Sequence, residues 1–156
     1  LYLSKNNHAD MFVTVWMGIL ENSTGHMYYA NAGHEYPAIK TGDAPFAVEK
    51  DVHGPPLAAS RKVRFKSGKF SLKPGDVICQ YTDGITEAHN AQKEMFGEER
   101  MLEALNLQPD ADPQEIDKNV HDGIAAFVQD AEQFDDTTML CLKYYGPRES
   151  AGEEKQ

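Results

Sequence analysis

Several things are scarce in this chain, and each scarcity removes a class of function. There are only two cysteines, Cys79 and Cys141, with no CxxC pair and no Cys/His spacing of the kind zinc requires. That excludes a zinc module and a disulfide-dense secreted scaffold. Each cysteine sits inside an apolar, strand-like run, so both are expected to be buried free thiols, as suits a cytoplasmic protein. No apolar stretch approaches the roughly 20 residues of a membrane-spanning helix, so this segment is not expected to insert into a bilayer. Positive charge is also in deficit. Lys and Arg number 15 against 25 Asp and Glu, for a formal net charge of −10. An acidic surface argues against nucleic acid or anionic lipid as a partner. It suits a protein that gathers cations, and equally one that is merely soluble. No signal peptide is visible. The chain begins at Leu1 rather than Met, which reads as a processed or artificial boundary.

What is present is enough apolar material for a core: 40% hydrophobic and 10% aromatic residues in 156, the size of one domain or part of one. Met11–Leu20 is rich in β-branched and aromatic residues and reads as a strand buried on both faces. His26–Ala32 follows a turn containing Gly25, and the two make a hairpin. Ala38–Lys40 and Phe46–Glu49 suit a second, smaller hairpin. From Lys62 to Leu72 apolar and charged residues alternate, the pattern of half-buried antiparallel strands with a bend at Ser67-Gly68. Lys73-Pro74-Gly75-Asp76 is a tight turn. It feeds a core strand, Val77–Tyr81, that runs straight into Thr82-Asp83-Gly84.

Beyond Glu87 the period changes. Met101, Leu102 and Leu105 lie at helical spacing within Glu98–Leu107. Asp112-Pro113 looks like an N-cap followed by proline at the first helical position. Ile116, Val120, Ile124, Phe127 and Val128 carry that helix toward Ala131. Thr137–Tyr145 is a last strand. Strands, then two helices, then a strand predict an α+β fold with a largely antiparallel sheet.

Two acidic positions stand at strand ends. Asp83 closes one strand; Asp135 and Asp136 precede another. A strand end is a stiff mount for a ligand, and Gly84 would let the backbone turn sharply beside a bound ion. Carboxylates converging from two strand ends repel unless a cation lies between them, and hard cations such as Mg²⁺ and Mn²⁺ take that oxygen ligation. Read singly, each position suits a capped or solvated turn as well.

The surrounding words carry more. Met11-Phe12-Val13-Thr14 leading to Gly18-Ile19-Leu20, Tyr29-Ala30-Asn31-Ala32-Gly33-His34, Leu72-Lys73-Pro74-Gly75-Asp76, Tyr81-Thr82-Asp83-Gly84-Ile85-Thr86-Glu87-Ala88, Phe96-Gly97-Glu98-Glu99-Arg100 and Asp135-Asp136-Thr137-Thr138 occur in that order. Together they resemble the motifs of the SpoIIE/RsbU-type branch of the bacterial metal-dependent serine/threonine protein phosphatases (PPM, type 2C-like). The resemblance implies a β-sandwich flanked by helices, residues 1–146 forming the C-terminal part of such a domain and 147–156 a disordered tail. It implies hydrolysis of phosphoserine or phosphothreonine on a regulatory protein, with two Mn²⁺ or Mg²⁺ ions activating water and no protein nucleophile. By motif match Asp83 and Asp135 are the metal ligands, with Thr82, Gly84 and Asp136 shaping the site. Asn31, Gly33 and His34 match a structural motif at a strand end; His34 touching phosphate or metal is the other reading.

The family's two upstream acidic motifs do not occur here, Asp10 matching neither. The segment alone is therefore expected to bind metal weakly, to show little activity, and to self-associate through uncovered strands. Relatives of this branch imply a phosphorylated anti-sigma-factor antagonist as substrate and an upstream sensor or regulatory domain. The alternative is a non-catalytic pseudophosphatase or protein-interaction module.

Overall fold

The structure, a computed structural model, describes residues 11–51, 53–59, 62–132 and 135–147; most of the expected tail lies outside the described residues. In chain order the elements are β1 (Val15–Glu21), β2 (His26–Ala32), β3 (Ala38–Lys40), β4 (Ala47–Val48), β5 (Gly68–Ser71), β6 (Val77–Tyr81), α1 (Asp83–Thr86), α2 (Gly97–Leu105), α3 (Pro113–Val128) and β7 (Met139–Lys143). The strands form two antiparallel sheets, β1-β2-β5 and β4-β3-β6-β7.

Strand alternation stacks the layers. On β6, Val77, Cys79 and Tyr81 face one way, into a core shared with Ile85, Met101, Leu105, Ile116 and Val120 of the helices. Ile78 faces the other way and packs with Met27, Leu72 and Tyr144, flanked by Trp16, Leu20 and Phe70. The four-stranded sheet is thus sandwiched between the helices and the three-stranded sheet, and β6, one of its two interior strands, is buried on both sides. This is why Val77–Tyr81 reads as a short continuous apolar run.

The helices are specified locally. Asp112 takes an extended conformation at the N-cap of α3, and Pro113, whose missing N–H costs nothing there, opens the first turn. Ile116 and Val120, four residues apart, are fully buried. Arg100 of α2 lies over the Phe127 ring at 4.7 Å, and Phe96 meets the same ring edge-on at 5.6 Å, which ties the two helices together.

Three expectations are corrected. The first strand is not buried on both faces: Met17 and Ile19 of β1 are 56% and 66% exposed, and Phe12 and Val13 before it are also open to solvent. β1 lies at a sheet edge, and its odd-numbered residues, with Tyr28 opposite Ile19, form the outer face of the three-stranded sheet. Second, the alternating stretch from Lys62 is strand only over Gly68–Ser71; Val63–Lys66 pairs with nothing as a ladder. Alternation marks a half-buried surface but cannot supply a neighbouring strand. Third, Cys79 and Cys141 are not free thiols. They are opposed residues of β6 and β7, their Cα atoms 4.2 Å apart, and their sulfurs are joined. Register across a sheet, invisible in the sequence spacing, puts them together.

Candidate functional site

The β6–β7 ladder does not stop at the ends of the strands. The Thr82 N–H donates to the Thr138 carbonyl at 3.0 Å, and the Thr138 N–H donates to Thr82 Oγ1 at 3.1 Å. Thr82 Oγ1 in turn donates to the Asp136 carbonyl at 2.9 Å. One hydroxyl therefore clips the segment before β7 onto the end of β6. The consequence is that Asp83 and Asp135-Asp136, some 50 residues apart, arrive at one rim of the four-stranded sheet.

Gly84 makes that approach sterically feasible. A Cβ there would sit 2.5 Å from the Asp136 carbonyl oxygen and 3.5 Å from the Asp135 carbonyl carbon. The need for glycine is this close backbone contact. The sharp turn expected from the sequence is not the reason, because Gly84 lies in the single turn of α1 and its φ is not positive.

Both candidate carboxylates are solvent-exposed and locally oriented. Asp83 Oδ1 accepts from the Gly84 N–H at 3.0 Å, and Asp135 Oδ1 accepts from the Asp136 N–H at 2.7 Å. Such bonds hold a carboxylate in one rotamer and fix the direction of its second oxygen.

A third acid, which sequence reasoning passed over, feels the charge of Asp83. Partial burial holds the Glu35 carboxyl above its ordinary range, and the negative charge of Asp83 raises it further, with smaller contributions from Glu87 and Glu98 and an opposing one from His34. Tyr81, at the end of β6, is pushed well up by burial, then by Glu35 and Glu98. Glu35 follows a turn word and has no periodic or spacing signal. Only the hydrogen bond from Gln80 Nε2 to the Glu35 carbonyl, 2.8 Å, shows that its loop is laid across β6.

That loop is built by Asn31. Its side chain spans the turn, accepting from the His34 N–H at 2.8 Å and donating to the His34 carbonyl at 2.9 Å. Gly33 takes a left-handed φ of 74°, with Pro56 too near for any side chain. His34 Nδ1 lies 3.1 Å from Thr14 Oγ1. Asn31, Gly33 and His34 thus make a connected turn that leads directly into Glu35.

The donor set suits a hard cation. It is carboxylate oxygen from Asp83 and Asp135, and no Lys or Arg is among the groups that shift Glu35 beside them. It is not a complete cage: among the described residues no three His, Cys, Asp or Glu side chains converge as a metal-binding group. Asp83 and Asp135 fit as part of a ligand set.

Against known proteins, the sequence model of the family described as Stage II sporulation protein E (SpoIIE) matches residues 1–145. Protein IcfG of Synechocystis sp. is 30% identical over 137 residues, which cover 86% of this chain and 21% of IcfG. Phosphoserine phosphatase RsbU of Bacillus subtilis is 26% identical over 147 residues, 90% of this chain and 42% of RsbU. The chain therefore spans less than half the length of either relative. Among solved structures, the phosphatase domain of the cell fate determinant SpoIIE from Bacillus subtilis superposes with a TM-score of 0.67 at 18% identity, over 96% of this chain and 64% of that one. The match extends the observed sandwich-and-helix architecture to a type 2C-like phosphatase fold, as expected from the motifs.

Proposed function

The chain belongs to the SpoIIE family, and from that premise we propose that it forms part of a domain that hydrolyses phosphoserine or phosphothreonine on a regulatory protein with the help of Mn²⁺ or Mg²⁺. The observation that carries this reading is the clip between Thr82 and Asp136, which brings two carboxylate-bearing strand ends, Asp83 and Asp135, to one rim.

In this reading Asp83 and Asp135 hold the cation, with Asp136 and Gly84 shaping the backbone around it. The ion would supply charge neutralisation for the phosphoryl oxygens and a water acidic enough to attack near neutral pH. The residues of this chain contribute position and charge. β6 and β7 fix the two carboxylates, and the Gly84 and Asp136 N–H groups aim them. Glu35 adds negative charge that favours divalent occupancy. No side-chain nucleophile is required. The bridging aspartate is expected from acidic motifs that this sequence does not contain, so the 156 residues by themselves are expected to bind metal weakly and turn over little.

The substrate class follows from what this family resembles: a phosphorylated partner such as an anti-sigma-factor antagonist, with a sensor or regulatory domain elsewhere in the same protein. RsbU bears the name phosphoserine phosphatase, which supports a phosphoserine target. No helix among the described residues is long and apolar enough to cross a membrane.

The test is hydrolysis of a phosphopeptide by the full-length protein with Mn²⁺, wild type against Asp83→Asn. A fall of about 10²-fold or more is expected, the scale for loss of a group that holds the catalytic charge. Unchanged turnover in the variant would remove Asp83 from the metal site. No turnover in the wild type would favour a pseudophosphatase that uses the same fold to bind a partner.

A further inference from the structure

The chain has only two cysteines, and the fold sets them opposite each other on β6 and β7 with their sulfurs joined. The kind of rung they occupy follows from the bonds on either side. The Tyr144 N–H donates to the Asp76 carbonyl at 2.9 Å, and the Thr82 N–H donates to the Thr138 carbonyl at 3.0 Å. Hydrogen-bonded and non-hydrogen-bonded pairs alternate along an antiparallel ladder. Cys79 and Cys141 lie three rungs from each of those pairs, so theirs is a non-hydrogen-bonded rung, where opposed side chains come closest. Making or breaking the S–S bond there leaves the N–H to O=C bonds of the ladder in place. The surroundings suit both states as well. Cys79 is fully buried in the core with Val77, Tyr81 and Ile85, where a thiol packs as a small apolar side chain.

The two sulfurs differ in access. Cys79 is 0% exposed on an interior strand, whereas Cys141 is partly buried on β7, which among the described residues ends the sheet and pairs only with β6. Three rungs from the pair, toward the acidic rim, is the Thr82–Thr138 juncture, and Asp135 and Asp136 stand just before it in the chain.

We propose that Cys79 and Cys141 form a redox-responsive clasp that sets how firmly β7, and with it Asp135, is held against β6 and Asp83. Oxidised, the pair ties the edge strand covalently beside the juncture. Reduced, β7 keeps its ladder but opens more often, because one covalent constraint on local opening is gone. Each opening carries Asp135 away from Asp83. The proposal adds regulation to the metal site proposed above and rests on that reading for its effect on metal, though not for its effect on the strand.

Reduction is thiol–disulfide exchange with a dithiol. A thiolate of the dithiol attacks the Cys141 sulfur, the accessible one, and the Cys79 thiolate leaves and takes up a proton. The second thiolate of the dithiol then closes on its own sulfur in the mixed disulfide, and Cys141 leaves and is protonated. The dithiol ends as a disulfide, having passed two electrons and two protons to the cysteines. Reoxidation by a hydroperoxide runs through a sulfenic acid on Cys141 with loss of an alcohol, or of water where hydrogen peroxide is the oxidant. The Cys79 thiol then condenses with the sulfenic acid, forming the S–S bond and releasing water.

The experiment uses the full-length protein, stripped of metal and treated with either hydrogen peroxide or dithiothreitol, each removed under argon before measurement. The state of the pair is read by mass spectrometry of the peptide that links Cys79 to Cys141. Amide hydrogen exchange is followed over residues 135–143, and Mn²⁺ affinity is measured by isothermal titration. Reduction is expected to speed exchange over that segment about tenfold and to weaken Mn²⁺ binding about fivefold. Cys141→Val and Cys141→Ser both remove the bond, one keeping an apolar side chain and the other a near-isosteric one. Each is expected to exchange like the reduced wild type and to ignore dithiothreitol. The comparison of the two wild-type states needs neither variant. Two free thiols after peroxide treatment overturn the clasp, as does equal exchange in the two states or a dithiothreitol response that survives in the variants. The two readings fail separately. Exchange that responds to reduction in a protein that binds no Mn²⁺ in either state removes the metal reading and leaves the clasp on β7. Mn²⁺ binding of equal affinity in both states removes the clasp alone.

Discussion

Thr82 Oγ1 donates to the backbone carbonyl of Asp136 at 2.9 Å, and with the two Thr82–Thr138 bonds this joins the end of β6 to the acidic segment before β7. The juncture decides where Asp83 and Asp135 stand relative to each other.

The juncture predicts an effect of adding one methyl group. Gly84→Ala would force its Cβ to within 2.5 Å of the Asp136 carbonyl oxygen, and the partner is backbone, which cannot swing aside as a side chain would. The expected cost is about 1–3 kcal/mol in urea denaturation. Isothermal titration with Mn²⁺ should show weakened binding as well, since Asp135 and Asp136 must retreat. Wild-type stability and wild-type metal affinity in Gly84→Ala would disprove the close contact.

Among the described residues the buried acid is Asp76, in the turn before β6. It is 2% exposed, and its two carboxylate oxygens accept from the Gly42 N–H at 2.8 Å and the Lys73 N–H at 2.7 Å. Asp76→Ala removes both charge-assisted bonds and is expected to destabilise by about 3 kcal/mol. Asp76→Asn keeps one good acceptor and should cost less. Thermal melts of the two variants check the order; equal melting temperatures would count against a structural carboxylate at this position.

Glu35 predicts a pH dependence. Its folded pKa is raised, chiefly by burial and then by Asp83, from an ordinary value of 4.5. The native state therefore holds this proton more tightly than the unfolded chain does. The stability it contributes is fully present below the unfolded value and is lost as pH rises through the folded one. The charged groups facing it are Asp83, Glu87, Glu98 and His34. With metal chelated, Glu35→Gln should raise the melting temperature at neutral pH and leave it unchanged near pH 4. A variant that is less stable at neutral pH would mean that ionised Glu35 makes a favourable contact there.

The outer face of the three-stranded sheet predicts association of the 156-residue chain with itself. Met17, Ile19 and Tyr28 are exposed side by side, and β1 is an edge strand. Light scattering should show an apparent mass that grows with concentration, and Ile19→Lys with Met17→Lys should restore the monomer. A monomeric wild type at high concentration would show that the face tolerates water.

Parts of the fold were legible residue by residue. Asp112-Pro113 marks the start of α3 because proline is at home in a first turn, and Ile116-Val120 fixes the buried face because the helical repeat is local. The core strand Val77–Tyr81 was legible because both its faces are covered. Met11–Leu20 misled for the same reason in reverse. An apolar run states what a strand could bury and says nothing of whether a neighbour covers it. Of the candidate site, Asp83 and Asp135 stand in contiguous motif words, whereas Glu35 does not, since its place depends on the Asn31 turn and on Gln80.

The sequence by itself determined the kinds of element, their order, the acidic balance and the family, because these rest on local periodicity and on contiguous motifs. Only the tertiary structure decided which distant residues meet: Thr82 with Asp136, Cys79 with Cys141, Gln80 with Glu35. The physical reason is that strand register and sheet stacking are fixed by the whole core at once. No residue's neighbours along the chain carry that information.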